Sequence, residues 1–443
     1  MKNHIASGAA LTAMALVLSL APMQPAHAGA IEDELRLMRQ QMAEMAKRME
    51  ELEGRQVETQ QEVEETRESA VITSGKSPGS FILPGSGTEI EISGYIKADF
   101  IYDFNEGQGD LFVPESISTS GGGDENRFRA HARQSRLRIK TSTPTAWGPL
   151  KTHFEGDFFG GGGNQVISNS TTFRIRHAWA TIGGLGAGQY WSNFMPIESY
   201  PGTIDFNGPA GLTFIRQAQL RYTAPVNDNL SISVSLENSE FSGRNAGGLF
   251  SESTGGGNSF GVNAGLDQAP DFTAAAIYRD DWGLVKLAGL GRYLGSPNDQ
   301  GDGEIAWGVS ISGNAKLWPG GKVMGAFLYG DGVGRYLVNG VGQDAFVDAS
   351  GDVHAIEAFG GAIQVRQQLT DTFAVAIAYG RAEFNDSRVG SDLDTVQTIH
   401  GSLFWSPVER LTFGAEVIWG SREDANGSDD DAIRLQTSVQ VNF

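Results

Sequence analysis

The last twelve residues of the chain, 432–443, are AIRLQTSVQVNF, and their alternation decides the fold. One set of alternate positions is mostly apolar and consists of Ile433, Leu435, Thr437, Val439, Val441 and Phe443. The other set is polar and consists of Arg434, Gln436, Ser438, Gln440 and Asn442. Because successive side chains of a strand point to opposite faces, this segment is predicted to be a strand with one apolar and one polar face. A soluble sandwich and a membrane barrel both contain such strands.

The opposite end of the chain favours the membrane barrel over the soluble sandwich. Residues 1–28 contain a basic start at Lys2, the short apolar run AALTAMALVLSLA and a small-residue cleavage site at Ala26–Ala28, which together predict a secretory signal peptide. A terminal strand that ends in Phe443 after an export signal resembles the last strand of bacterial outer-membrane barrels. We therefore expect the mature protein in the outer membrane of a Gram-negative bacterium.

Composition excludes two other classes of protein. After residue 30 there is no run of 18 or more apolar residues, so no transmembrane helix is expected. The 443 residues include 59 glycines and no cysteine, which rules out a secreted scaffold held by disulfides.

Residues 31–70 are predicted to form a periplasmic helix. Apolar residues recur at alternating steps of four and three, the period of a coiled-coil seam. The seam consists of Ile31, Leu35, Met38, Met42, Met45, Met49 and Leu52. We expect the seam to join three copies of the chain, the alternative being a lone amphipathic helix on the rim of a barrel. Residues 71–88, which include the run TSGKSPGS, are predicted to be a linker.

From residue 89 to residue 443 the pattern is one of strands and turns. The strand-like segments are 89–103, 127–142, 150–159, 171–183, 184–192, 213–224, 229–239, 270–280, 283–294, 303–317, 321–331, 353–368, 372–384, 394–406, 411–421 and 432–443. Short and long connections alternate between them, as in barrels with short periplasmic turns and long external loops. The fold class is therefore predicted to be all-β, a 16-stranded antiparallel transmembrane β-barrel preceded by an N-terminal helical coiled coil.

Positive charge is concentrated in one part of an acidic chain. The formal net charge is −20, yet residues 127–227 contain 11 Lys and Arg against 4 Asp and Glu, a net of +7. The segment RFRAHARQSRLRIK, 127–140, contains six of these cations and no carboxylate. Its two halves alternate out of phase, which a β-bulge around Gln134–Ser135 would reconcile. Arg or Lys on the lipid face near the membrane centre costs ~2–4 kcal/mol, so we expect these cations to face the lumen.

The same reasoning applies to neighbouring strands. Phe173, Ile175 and Trp179 share one parity, which leaves Arg174 and Arg176 inward. Arg221 shares a parity with two glutamines, whereas Arg216 has the wrong parity and its orientation stays open. The inward, pore-lining cations are predicted to be Lys97, Arg129, Arg133, Arg136, Arg138, Arg174, Arg176 and Arg221. Glu155 and Asp157 can brace some of them, but four carboxylates cannot neutralise eleven cations.

The connection 193–212 follows the fifth strand and is the third external loop. Its charged residues are Glu198 and Asp205. If the loop folds inward, these carboxylates face the arginines and create a transverse field across a constriction. The alternative is a loop that stays outside and covers the mouth of the barrel.

Several segments are similar to the DcaP-type outer-membrane porins. They are FILPGSGTEIEISGYIKADFIYDF after the coiled coil, then RQSRLRIKTSTP, GQYW and RQAQLRYT. The resemblance extends from the coiled coil to Phe443. It implies a trimeric porin of sixteen strands with a periplasmic coiled coil, through which small anionic solutes diffuse, dicarboxylic acids among them. It also implies contact with outer-membrane lipid and lipopolysaccharide.

Other functions remain as alternatives. Catalysis is disfavoured because no motif pairs a nucleophile with one of the five histidines that follow the signal peptide. GGLGAG, 183–188, lies at a turn between strands and is not followed by a helix, unlike a phosphate loop. We expect no metal site, cofactor or nucleic-acid partner. A phosphate-selective porin, a general porin and an envelope-tethering barrel are the competing hypotheses.

Overall fold

The computed structural model describes residues 28–69, 73–77, 79–121, 125–161, 164, 166–240, 242–245, 248–251, 268–296, 301–340, 342–385 and 393–443. The predicted signal peptide lies outside the described residues except for Ala28, where the helix begins. The predicted linker, 71–88, is described in part and contains two short strands, Thr73–Ser74 and Ser80–Ile82. The second of these pairs with the first strand of the barrel.

One α-helix, α1, extends over Ala28–Ser69. The side chains described within it include most of the apolar seam, which is exposed on the isolated chain; Met42, Met45 and Met49 are each about 60% exposed. Within the described part of the chain, no helix is both long enough and apolar enough to cross a membrane. The helix is therefore confirmed, and its coiled-coil pairing stays a prediction.

The barrel is antiparallel and closed, with sixteen strands in the described residues. The strands are β1 Glu89–Asp103, β2 in two segments Arg127–His131 and Arg136–Thr143, β3 Leu150–Gly160, β4 Thr172–Ile182, β5 Leu185–Trp191, β6 Arg216–Pro225, β7 Leu230–Glu237, β8 Asp271–Asp280, β9 Gly283–Leu294, β10 Glu304–Trp318, β11 Gly321–Asp331, β12 Glu357–Gln368, β13 Phe373–Asn385, β14 Leu393–Val408, β15 Leu411–Asp424 and β16 Asp429–Asn442. Each strand pairs with its sequence neighbours, and β16 pairs with β1. The predicted fold class is confirmed.

The terminal strand closes the barrel. Leu435 lies opposite Tyr102 and Val441 opposite Ile96, all on the outer face, whereas Arg434 and Gln436 are buried in the lumen. Closure pairs the backbone of the first and last strands without water, as a sheet in hydrocarbon requires. The apolar parity of residues 433–443 thus faces lipid, as the sequence predicted.

The loops contribute smaller elements. Three 3₁₀ turns lie at Pro114–Ser116, Ile197–Ser199 and Gly334–Tyr336. Four short strands, Ser242–Asn245, Gly248–Ser251, Ala345–Val347 and Val353–Ala355, form a separate sheet at the long-loop rim. Inside the barrel, the loop 193–212 and the loop that follows β11 pack together in an apolar core that includes Phe194, Leu337 and Phe384.

Two bulges set which side chains face inward. In β2, residues 132–135 oppose only residues 96–98 of β1, so the bulge predicted near Gln134–Ser135 is confirmed. In β4, His177 pairs with Glu155 and Ile175 with Gly156, which leaves Arg176 as an extra residue. Arg176 and His177 are therefore both buried in the lumen. The outward prediction for Trp179 is wrong, because the bulge shifts the parity of every residue after Arg176.

Candidate functional site

Five arginines on strands β2, β4 and β6 converge in the lumen. We call them the arginine cluster: Arg136, Arg138, Arg174, Arg176 and Arg216. They surround two carboxylates of β3, Glu155 and Asp157, which are almost fully buried. Strands β2, β3 and β4 are adjacent, and their inward parities bring these side chains to one height of the barrel.

Glu155 and Asp157 accept hydrogen bonds from three of the arginines and pair with a fourth. The Nε atoms of Arg138 and Arg176 donate to Glu155 at 2.8 Å and 2.7 Å. Asp157 accepts from Arg174 Nε at 2.8 Å and from Arg176 Nη1 at 2.9 Å. Arg136 Nη1 lies 3.4 Å from Glu155 Oε1. These shared pairs hold the guanidinium groups in place without neutralising all of them.

The cluster keeps an excess of positive charge. Five guanidinium groups face two carboxylates, a net of +3 when both carboxylates are ionised. In the described residues, no carboxylate lies within 4.0 Å of Arg216, and the buried atoms Arg136 Nε and Arg216 Nη1 have no hydrogen-bond partner. Donors that are buried and unpartnered are available to an anionic ligand.

Aromatic rings contact two arginines of the cluster, Arg216, which lacks a carboxylate partner, and Arg176, which has two. The Cζ atom of Arg216 lies 5.0 Å from the ring centre of Trp191 and 5.4 Å from that of Phe214. Arg176 lies 5.2 Å from the ring centre of Phe206. Cation–π contacts of this kind stabilise a guanidinium while its charge remains available to other partners.

A cavity of about 390 Å³, the arginine cavity, lies between the cluster and the loop 193–212. Arg136, Arg138 and Arg176 line it on the strand side, and Tyr200, Thr203 and Phe206 line it on the loop side. The cavity is large enough for a small organic anion and presents guanidinium donors on one wall.

The loop lies inside the barrel because the far wall binds it. Its backbone amides at Ile204 and Asp205 donate to the carboxylate of Glu416 on β15 at 2.8 Å and 3.1 Å. Ala210 N donates to Thr398 Oγ1 on β14 at 2.9 Å. The loop leaves the wall after β5 and reaches strands β14 and β15, so it crosses the lumen and narrows it.

The two acidic residues of the loop have different partners. Asp205 is buried beside the arginine cavity, where its Oδ1 accepts from Phe112 N at 3.0 Å and lies 3.6 Å from Arg434 Nη1. Burial raises the pKa of Asp205, although Arg434 counteracts this. Glu198 instead pairs with Arg279 of β8 at 2.6 Å. Only Asp205 therefore lines the arginine cavity.

The remaining predicted pore-lining cations lie apart from the cluster. Arg129 and Arg133 both pair with Asp110 in the loop after β1. Lys97 Nζ donates to Ile204 O at 2.7 Å and thereby fastens the loop 193–212. Arg221 donates to Trp191 O at 2.5 Å and lines a second, adjoining cavity. The structure thus brings together only part of the predicted set.

Arg216 is the site residue for which sequence parity gave no answer. It is the first residue of β6, paired with Trp191 at the point where both strands turn into the lumen. Alternation fails at such a strand end, because the direction of the side chain depends on the path of the following loop. The only available signal was composition, since Trp191, Phe206 and Phe214 supply aromatic rings on either side of the loop.

Two histidines flank the cluster. His153 Nε2 lies 3.6 Å and His177 Nε2 lies 3.8 Å from Glu155, and both rings are close to Tyr190. Within the described ranges, no group of three or more Cys, His, Asp or Glu side chains is placed to hold a metal ion. The histidines and the arginine cluster together form a polar lumen surface rich in arginine.

Comparison with known proteins agrees with this architecture. Residues 23–443 match the profile of the DcaP outer membrane protein family. Curated proteins give no match to the sequence.

Solved structures give several matches. The outer membrane channel DcaP of Acinetobacter baumannii is 20% identical with a TM-score of 0.69, and the match covers 84% of this chain and 100% of that one. The anion-selective porin from Comamonas acidovorans is 11% identical with a TM-score of 0.52, and the match covers 80% and 100%. At these identities the likeness shows the fold alone.

Proposed function

The chain belongs to the DcaP outer membrane protein family, and from this premise we propose that it is an anion-selective channel for small carboxylates, dicarboxylates among them. As an outer-membrane porin it provides passage and catalyses no reaction. The observation on which the proposal depends is the unneutralised charge of the arginine cluster beside a cavity of about 390 Å³.

The cluster can attract a carboxylate more strongly than water retains it. Two unit charges ~4 Å apart interact by ~1 kcal/mol in bulk water and by ~4 kcal/mol at the effective dielectric near a protein surface. A narrow lumen resembles the second case. Guanidinium also binds carboxylate through two parallel hydrogen bonds, so several arginines can hold both ends of a dicarboxylate.

Binding must nevertheless remain weak, because a solute that is held tightly blocks its own path. Glu155 and Asp157 contribute to this by occupying donors of four arginines. We therefore expect dissociation constants in the micromolar to millimolar range and brief interruptions of the ionic current. A phosphate-selective channel is the second candidate, but the cluster consists of arginine without lysine, which favours the planar carboxylate.

The test is the zero-current potential across a bilayer in a salt gradient. The triple variant Arg136→Gln, Arg138→Gln, Arg174→Gln should shift the potential toward cations and abolish current interruptions by succinate. The matched control removes three charges at the short-turn rim, by Lys316→Gln, Lys322→Gln and Arg410→Gln, and should keep both properties. Wild-type anion preference in the first triple variant would contradict the proposal.

Assembly and location belong to the same proposal. Three copies would lie in the outer membrane in contact with lipid and lipopolysaccharide. Helix α1 would lie in the periplasm with its apolar seam buried between copies, after removal of the signal peptide. Exposure of the seam methionines on a single chain supports this arrangement.

A further inference from the structure

A second cavity, of about 280 Å³, adjoins the arginine cavity. Tyr190, Trp191, Met195 and Ile197 line both cavities, so one segment of wall and loop separates them. We call the second one the serine cavity. Its polar lining includes five serines, among them Ser199 and Ser312, together with Glu198, Arg221, Arg279 and Lys286.

The serine cavity has its own cations. Arg221, Arg279 and Lys286 line it, and of these Arg279 is paired with Glu198. A further carboxylate, Glu237, interacts electrostatically with Arg221 and Lys286 but does not line the cavity. Three cations against two carboxylates leave a net positive charge. In the described residues, Arg221 and Lys286 have no carboxylate within ion-pair distance.

The oxygens of Glu237 already have partners. They accept hydrogen bonds from Asn193 N at 2.8 Å, Ser235 Oγ at 2.6 Å and Gln217 Nε2 at 2.7 Å. Glu237, the last residue of β7, is thereby fixed against β6 and is not free to bind Lys286 directly.

Two buried hydroxyls of the serine cavity lack partners, and a buried lysine beside them has a single one. Lys286 is 9% exposed, and in the described part of the chain its Nζ makes one hydrogen bond, to Met195 O at 2.8 Å. The hydroxyl oxygens of Ser199 and Ser312 are buried and have no hydrogen-bond partner among the described residues. A buried donor without a partner destabilises the empty cavity, so this lining favours a ligand that accepts hydrogen bonds.

We propose that the serine cavity is a second binding site for a small carboxylate, held by Lys286, Arg221 and the hydroxyls of Ser199 and Ser312. The inference rests on the proposed function, since it concerns the same class of anion. Ile197, Ile277 and Leu284 supply an apolar wall for a short hydrocarbon chain. Sulfate and inorganic phosphate present charged oxygens on every side and fit that wall less well.

Two adjacent weak sites would also help an anion to cross the channel. An anion that leaves the arginine cavity can bind next to Lys286 before it enters water, and occupation of one site by a second anion promotes release from the other. The serine cavity therefore provides a step along the path and not a storage site.

The test is titration calorimetry of succinate on the detergent-purified protein. The wild type should bind two succinates per chain. Lys286→Gln combined with Ser312→Ala should bind one, with at least tenfold weaker affinity at the lost site. The control Lys322→Gln removes a lumen-facing charge outside both cavities and should still bind two. Two sites of wild-type affinity in the double variant would overturn the proposal, because the second succinate would then bind outside the serine cavity.

Further titrations distinguish failure of this proposal from failure of the proposed function. The triple arginine variant should lose one succinate site and keep the other. If it keeps both, the proposed function of the arginine cavity is contradicted, whereas the proposal for the serine cavity is not. Equal affinity for succinate, sulfate and inorganic phosphate would contradict the carboxylate assignment. If the double variant does not show the heat-dependent gel mobility of a folded barrel, Ser199→Ala and Ser312→Ala are measured singly, each with an expected weakening of at least threefold.

Discussion

At the scale of single residues, two arginines of the lumen show that partners decide what a buried cation does. Arg434 is fully buried, and its Nε donates to Asp103 Oδ1 at 2.6 Å, so its charge is compensated. Arg216 is half-buried between Trp191 and Phe214 without a carboxylate. The first arginine braces the wall, whereas the second adds an uncompensated charge to the arginine cluster.

This difference leads to a prediction about Arg216. Arg216→Gln should lower the anion-to-cation permeability ratio at least threefold, because it removes an uncompensated charge. It should leave the unfolding temperature unchanged or raise it, since a half-buried unpaired cation costs desolvation free energy. The matched variant Arg434→Gln should destabilise the barrel by about 3–5 kcal/mol, since it leaves Asp103 buried and unpaired, with little change in selectivity.

Reversal potentials and the temperature of the heat-induced gel shift measure the two effects. Loss of stability in Arg216→Gln together with unchanged selectivity would show that Arg216 has a structural role only.

At the scale of elements, the loop 193–212 crosses the lumen and is bound to the opposite wall of the barrel. Its contacts with β13, β14 and β15 require the backbone to approach the wall closely. Gly211 has a positive φ of 73°, and a Cβ atom at this position would lie 1.9 Å from Arg381 O. Gly208 has the same φ, but the nearest atom to its Cβ would be 3.4 Å away.

These two glycines make a matched pair. Both alanine substitutions incur the strain of a left-handed backbone, roughly 1–2 kcal/mol, but only Gly211→Ala also collides with the wall. We expect Gly211→Ala to release the loop and increase single-channel conductance, whereas Gly208→Ala stays close to the wild type. Equal conductance in the two variants would mean that this contact does not hold the loop in the lumen.

The helix gives a prediction about assembly. Replacing Met42, Met45 and Met49 with Asp places three charges in the apolar seam and should lower the melting temperature of the trimer in detergent without preventing barrel formation. The control places Asp at Gln40, Ala43 and Lys47, outside the seam, and should have a much smaller effect. The same trimer melting temperature in both variants would show that the seam does not join copies.

At the scale of the whole molecule, three loops meet at Asn339. Its Nδ2 donates to Glu115 Oε2 in the loop after β1 at 2.6 Å, and its Oδ1 accepts from Gly211 N at 3.3 Å. Arg422 of β15 donates to Glu115 O at 2.8 Å and pairs with Asp424. The loops that narrow the barrel are thus joined to one another as well as to the wall.

Burial raises the pKa of Glu115 from 4.5 to about 7, which makes the docking of these loops sensitive to pH. The docked form retains its proton after the undocked form has lost it, so docking weakens as pH rises from 4.5 to 7 and changes little above that. The full effect is on the order of 3 kcal/mol, about a hundredfold in the open population. Brief current fluctuations should therefore become more frequent across this range.

Glu115→Gln is the control for this prediction, because a glutamine keeps the shape and does not titrate. Its current fluctuations should be independent of pH between 4.5 and 7. Persistence of the wild-type pH response in this variant would assign the response to another group.

Sequence alone determined the barrel. The terminal strand, the count of sixteen segments and the inward direction of Arg136, Arg138 and Arg174 all follow from a period of two that is local to each strand. The high cost of charge against lipid then fixes which parity faces inward. The β2 bulge was also predictable, because two halves of one strand alternated out of phase.

The tertiary structure alone decided how the site is assembled. The bulge that turns Trp179 inward, the position of Arg216 and the pairing of Glu198 with Arg279 depend on loop paths and on residues far apart in the chain. Ile204 and Glu416, which fix the loop across the lumen, are separated by 212 positions. No periodicity encodes such a contact, since its energy depends on how the closed barrel brings two distant surfaces together.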